Sequence, residues 1–133
     1  MLAECLPEDI RALGDELTQR ADAAALRAGV SRLYYANHLF AVATVAPKLN
    51  IPLKGTGDDH GAVIRGLKRG KTTGVANLLD KLRSYREHAD YHINEAHKRT
   101  ECLFCMGKLK LDEALAKAIR EEAQSCLKTL GTI

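Results

Sequence analysis

"VANLLDKLRSYREHADY" (residues 75–91) decides the fold. Val75, Leu78, Leu79, Leu82, Tyr85, Arg86 and Ala89 recur at steps of three and four residues. That spacing places them on one face of a helix, with an apolar stripe turned to a core. Arg86 continues the stripe four residues after Leu82. An arginine there sits either at the wet margin of the stripe or partly buried against a partner. Asp90, one turn further on, is the obvious partner, and an exposed pair at this spacing contributes only a few tenths of a kcal/mol. The pair leaves Arg83, His88 and His92 unexplained, although they crowd the same two turns.

Working outward, the rest of the chain also reads as helix. Pro7 followed by Glu8 and Asp9 opens a first helix that is expected to run to about Arg20, because proline suits the first helical position and acids favour the positive end of the dipole. In "ADAAALRAGVSRLYYANHLFAVATVA", Leu26, Val30, Leu33, Tyr34, Asn37, Phe40, Ala41 and Thr44 form a second stripe, ended by Pro47 and weakened but not broken by Gly29. "KLNIPLKGTGDD" is a loop, after which Asp58 or Asp59 caps a third helix holding Val63, Ile64 and Leu67. "KRGKTTG" is a second loop. The stretch from about 93 to 110 shows no helical period and reads as an irregular excursion. Asp112 then caps a last helix, "EALAKAIREEAQSCLKTL", which Gly131 closes. Helices joined by short loops predict an all-α, antiparallel bundle of four to five helices in one domain over residues 1–133.

Composition agrees. A chain of 133 residues with 46% hydrophobic and 28% charged side chains can bury a core without disulfide or metal support, and its 5% aromatic content leaves few strand formers. The N-terminus carries acids where a signal peptide has a basic end, and no apolar run approaches a membrane span. A cytoplasmic protein with cysteines as thiols is expected. The net charge of +3 is unevenly spread: 4 basic and 6 acidic residues in 1–47, 13 and 7 in 48–110, 3 and 4 in 111–133. A basic middle suits an anionic ligand, and it also suits lysines scattered over a solvated surface.

The Arg–His cluster has a chemical reading. Arginine offers a planar fork to phosphate oxygens, and histidine gives or takes a proton near neutrality. Cleavage of RNA by its own 2′-hydroxyl needs those two services, proton transfer and charge stabilisation at phosphorus, and requires no metal.

Three blocks, "SRLYYANHLFAVA" (31–43), "DDHGAVIRGLKR" (58–69) and "LRSYREHADYHI" (82–93), resemble in order and spacing those of the HEPN domain, closest to its small stand-alone prokaryotic members. Arg32, Tyr34, Tyr35 and Ala36 match an Arg-x-Tyr-Tyr-Ala run. His60, Val63 and Ile64 match the start of the third helix, and Arg86, Ala89, Asp90 and Tyr91 match Arg-x-x-Ala-Asp-Tyr. The resemblance implies a bundle that forms a symmetric homodimer through its motif-bearing helices. Many such proteins are metal-independent endoribonucleases of toxin–antitoxin or phage-defence systems, with Arg-x(4–6)-His motifs meeting across the dimer. Others pair with a nucleotidyltransferase-type partner or bind nucleotide or RNA without cleaving it. Carried onto this chain, Arg86 stabilises charge, His92 or His88 moves the proton and Asp90 orients Arg86, while Arg83, Tyr91 and Lys81 hold the substrate. The chain departs from the nuclease pattern: Glu87 follows the arginine, and the fifth position after it is Tyr91, with His92 at the sixth. One residue along a helix is a rotation of about 100°, so His92 aligns with the usual histidine only if the helix ends or unwinds there.

Other features carry less. His97, Cys102 and Cys105, with His92 as a fourth ligand, are either a zinc site or a loop with free thiols, and no cofactor is expected otherwise. His38 and His60 read as hydrogen-bonded core or interface histidines, and Tyr34 and Tyr35 as packing and dimer-contact residues. Lys68, Arg69 and Lys71 form a basic loop suited to solvent or to an RNA backbone.

Overall fold

The computed structural model describes residues 5–70, 72–91 and 111–133, and every regular element among them is helical. They are α1 (Pro7–Leu17), α2 (Ala23–Phe40), a π-helical turn (Ala41–Val45), α3 (Ala46–Lys48), α4 (Asp59–Arg69), α5 (Thr73–Tyr91) and α6 (Glu113–Leu130). His92 and the expected excursion at about 93–110 lie outside the described residues, as does Lys71.

Local chemistry sets the ends. Pro7 opens α1, and the Asp9 carboxylate accepts the Leu6 N–H at 2.9 Å. The helix stops three residues before Arg20 because the Thr18 hydroxyl turns back to donate to the Gly14 carbonyl at 2.9 Å, and Arg120 of α6 donates to the Thr18 carbonyl at 3.0 Å. Asp22 caps α2 through the Ala25 N–H, and Asp112 caps α6 through the Leu115 N–H. Neither acid expected to cap α4 does so. Asp58 stands at the cap position without a side-chain bond, and the Asp59 carboxylate reaches back into the preceding loop to accept the N–H groups of Lys54 and Gly55.

The second helical rod closes at Lys48, one residue past Pro47. Its path is what differs from a plain helix. The Ala46 N–H bonds the Ala41 carbonyl five residues back, which widens the turn just before the proline. Proline brings no N–H and crowds the carbonyl four residues earlier, so a widened turn lets the chain keep its helical course.

α2 is the central element, packed against α1, α5 and α6, while α5 also packs against α4 and α6. α1 runs antiparallel to α2. A Cβ at Gly14 would strike Leu33, and one at Gly29 would lie 2.8 Å from the Thr18 nitrogen and 3.0 Å from the Gly14 carbonyl oxygen. These two glycines are what let the backbones meet. Leu33, Tyr34, Val63, Leu67, Leu79, Leu82, Ile119 and Leu130 fill the core between them, with the Cys126 thiol buried among them and its pKa pushed up to about 12 by burial. Among the described residues no helix is long and apolar enough to cross a membrane.

Candidate functional site

Three helices bring polar and aromatic side chains together where α5 ends. α2 presents Tyr34, Tyr35 and His38, α4 begins with Asp59 and His60, and α5 contributes Arg83, Arg86, Asp90 and Tyr91. The apolar stripe of α5 makes this happen, since it carries Arg86 inward with Leu82 and Ala89.

Arg86 is 6% exposed. Its guanidinium carbon lies 5.5 Å from the ring centre of Tyr34, 5.4 Å from Tyr35 and 5.5 Å from Tyr91, so three aromatic faces surround the charge. Each such contact contributes between about 0.5 and 2 kcal/mol, which offsets part of the desolvation cost. One terminal nitrogen donates to the Tyr91 hydroxyl at 3.3 Å, and the same nitrogen is 3.9 Å from Asp90. The buried Nε has no hydrogen-bond partner among the described residues. Asp90 is itself tied to α2, accepting from the Ser31 hydroxyl at 3.1 Å. Arg27 of α2 donates to the His88 and Ala89 carbonyls at 3.0 and 3.2 Å, fastening the last turn of α5.

Beside the arginine lies a ring stack. His38 and His60 stack with centroids 4.0 Å apart, Tyr34 lies 5.8 and 5.6 Å from them, and the Tyr34 hydroxyl shares a hydrogen bond with Nδ1 of His60. Burial raises the Tyr34 pKa and keeps its proton in place. Burial is also the largest cause pulling His38 down, to about 4, with His60, Arg83 and Arg86 adding to it. His60 is lowered by the same burial and by the charges of Arg86 and Arg83. Both imidazoles are therefore neutral at neutral pH, and neutral rings can stack without repulsion. Asp59 is held below its usual range, first by the Lys54 N–H.

The residues expected from the sequence divide. Arg86 and Asp90 are brought together as their four-residue spacing implied, Tyr91 joins them through its hydroxyl, and Arg83 stands half-buried one turn before Arg86. His88 is buried two residues beyond Arg86, a step of about 200° around the helix, so it lies on another face. Lys81 is engaged elsewhere: its ammonium pairs with Glu122 of α6 at 2.8 Å and lies 5.8 Å from the Tyr85 ring centre. His92 and the His97, Cys102 and Cys105 set lie outside the described residues, and among those described no group of three or more His, Cys, Asp or Glu is placed to hold a metal. Sequence reasoning missed His38 and His60 as members of the cluster. The available signal was the four-residue step from Tyr34 to His38, which puts both rings on one face.

No protein-family model matches the chain, and no curated protein or solved structure matches it significantly.

Proposed function

We propose that the protein is a HEPN-like module that acts on RNA as a symmetric homodimer, working as a metal-independent endoribonuclease of the toxin–antitoxin or phage-defence kind in the cytoplasm. The observation that carries this reading is the state of Arg86. It is a guanidinium fixed by three tyrosine faces, beside Asp90, with a buried nitrogen that has no partner among the described residues. Leaving a buried donor unpaired costs about 1–3 kcal/mol, a cost that makes sense where the group serves a ligand rather than stability. In the reaction, the 2′-oxygen attacks phosphorus as a base takes its proton, charge builds on the phosphoryl oxygens, and the 5′-oxygen leaves with a proton from an acid. Arg86 meets the charge and His92 moves the proton, since His88 is buried on another face of α5. Asp90, anchored by Ser31, acts as a positioning residue for Arg86.

A second reading is favoured by a different observation. The Arg86 side chain is only 8% exposed within one subunit, and His88 is buried as well. A group so enclosed suits a module that binds nucleotide, RNA or a nucleotidyltransferase-type partner without cleaving it.

Incubation of the purified dimer with RNA separates the two. Cleavage is expected, leaving a 2′,3′-cyclic phosphate. Both Arg86→Lys, which keeps the charge but loses the planar fork, and His92→Ala should lower the rate at least about a hundredfold. Circular dichroism should show both variants folded. Undamaged RNA with the wild-type protein, together with binding that Arg86→Lys weakens, would select the second reading. A monomer in solution would remove the first.

A further inference from the structure

An open cleft of about 410 Å³ lies between the loop before α4, the first turn of α4 and the side of α5. Its volume falls within the range of about 300–1,000 Å³ typical of small-ligand sites. Three cations line it, Lys54, Arg65 and Arg83, together with Asp58 and Asp59. The three cations outnumber the two acids, and neither acid pairs directly with them. The Asp59 carboxylate is occupied by the N–H groups of Lys54 and Gly55, and Asp58 is exposed. Neither Arg65 nor Arg83 forms an ion pair among the described residues, although Arg83 is half-buried. The half-buried Arg83, with no direct ion-pair partner among those residues, is stabilised by an anion that arrives from solution. The positive end of α4 opens into the same space and adds to the attraction.

The backbone prepares the place. Gly61 leaves room that Arg65 occupies: a Cβ built there would lie 2.9 Å from a terminal nitrogen of Arg65. Arg83 shares a face of α5 with Arg86, three residues on, and its charge acts on His38 and His60. The cleft thus borders the aromatic cluster and shares Asp59 and Arg83 with it, while Lys54 and Arg65 belong to the cleft alone.

We propose that this cleft is a second phosphate subsite, in which Arg65, Arg83 and Lys54 hold a phosphate group of a nucleotide or RNA strand next to the Arg86 cluster. The identity of the ligand as a nucleotide rests on the function proposed above, whereas the preference for phosphate rests on the cleft alone.

Calorimetry with three probes tests it: 5′-AMP, adenosine, and a 2′-O-methyl tetraribonucleotide that cannot be cleaved. AMP, the tetranucleotide, or both are expected to bind, and adenosine at least about tenfold more weakly. Binding of AMP alone points to a free nucleotide as the source, and binding of the tetranucleotide alone points to a strand. Arg83→Gln and Arg65→Gln should each weaken the bound probe about tenfold, equivalent to about 1.4 kcal/mol. Gly61→Ala should weaken it as well, through displacement of the Arg65 head with no change in charge, while melting shows the fold intact. Affinity should fall as salt rises. AMP binding is read without any cleavage, so the subsite can stand even if RNA cleavage is never observed. Equal affinity for AMP and adenosine, no binding of either phosphate probe, or wild-type affinity in both arginine variants would overturn the proposal.

Discussion

Gly29→Val is expected to lower stability by about 3 kcal/mol, a drop in melting temperature on the order of 10 °C. A helix interior normally gains when glycine is replaced, so propensity alone predicts little harm. Packing reverses the sign. The first carbon added at Gly29 would sit 2.6 Å from the Thr18 Cγ2, 2.8 Å from the Thr18 nitrogen and 3.0 Å from the Gly14 carbonyl oxygen. Two of those three atoms belong to backbone, which cannot step aside as a flexible side chain can. α1 would have to lift from α2, and with it would go the Arg120 bond to the Thr18 carbonyl that joins α1 to α6. Gly74 is the control. It lies in the first turn of α5, a Cβ there meets nothing within 4 Å, and Gly74→Ala should be neutral or stabilising by up to about 1 kcal/mol. Chemical denaturation of the two variants checks both signs, and equal stabilities would refute the close-crossing account.

Gly29 also shows where the sequence was legible and where it was not. The helical stripes are a local property, and each expected helix is present over nearly its expected span, with Asp112 capping α6 as its position implied. What the sequence does not carry locally is partnership. Nothing in "RAGVS" says that Thr18 will lie against Gly29. Nothing in "GDDH" says that Asp59 will turn to the amides of Lys54 and Gly55 instead of capping its own helix. The widened turn at Ala41–Val45 is similar. Pro47 announces a disturbance, but the π-helical solution depends on how the rod packs around it.

The site divides along the same line. Arg86 and Asp90 lie one turn apart on one helix, and their meeting follows from spacing, whereas the contact of Tyr91, five residues on, does not. Ser31 and Arg27, which fasten that helix end to α2, come from about sixty residues earlier in the chain. His38 and His60 each look like ordinary core histidines when read alone, and they become a stacked pair only because α4 starts beside the last turns of α2. Lys81 shows the reverse error: its nearness to Arg83 in sequence hides a side chain committed to Glu122.

The histidine stack makes the second large effect one of pH. His38 is 7% exposed, its Nδ1 has no hydrogen-bond partner among the described residues, and the groups facing it are Tyr34, His60, Asp59, Arg83 and Arg86. Two of these are fixed cations, and Tyr34 keeps its proton, so a charged His38 would find little support beyond Asp59. Its pKa accordingly falls from 6.5 to about 4 in the folded protein. Above pH 6.5 the ring is neutral in both states and stability is at its full value. Between pH 6.5 and 4 the unfolded chain takes up a proton that the folded one refuses, so stability falls as pH falls and levels off below about 4. One pKa unit corresponds to about 1.4 kcal/mol, which gives a total loss of about 3 kcal/mol from this residue. His60, shifted in the same direction, steepens the decline, whereas Asp59 adds its own loss only below its ordinary value of 3.8. Denaturation curves from pH 7.5 to 4 should show this slope in the wild type and a clearly shallower one in His38→Gln, which cannot charge. If both proteins lose stability in parallel across that interval, His38 is not the buried neutral ring that holds α2 to the start of α4.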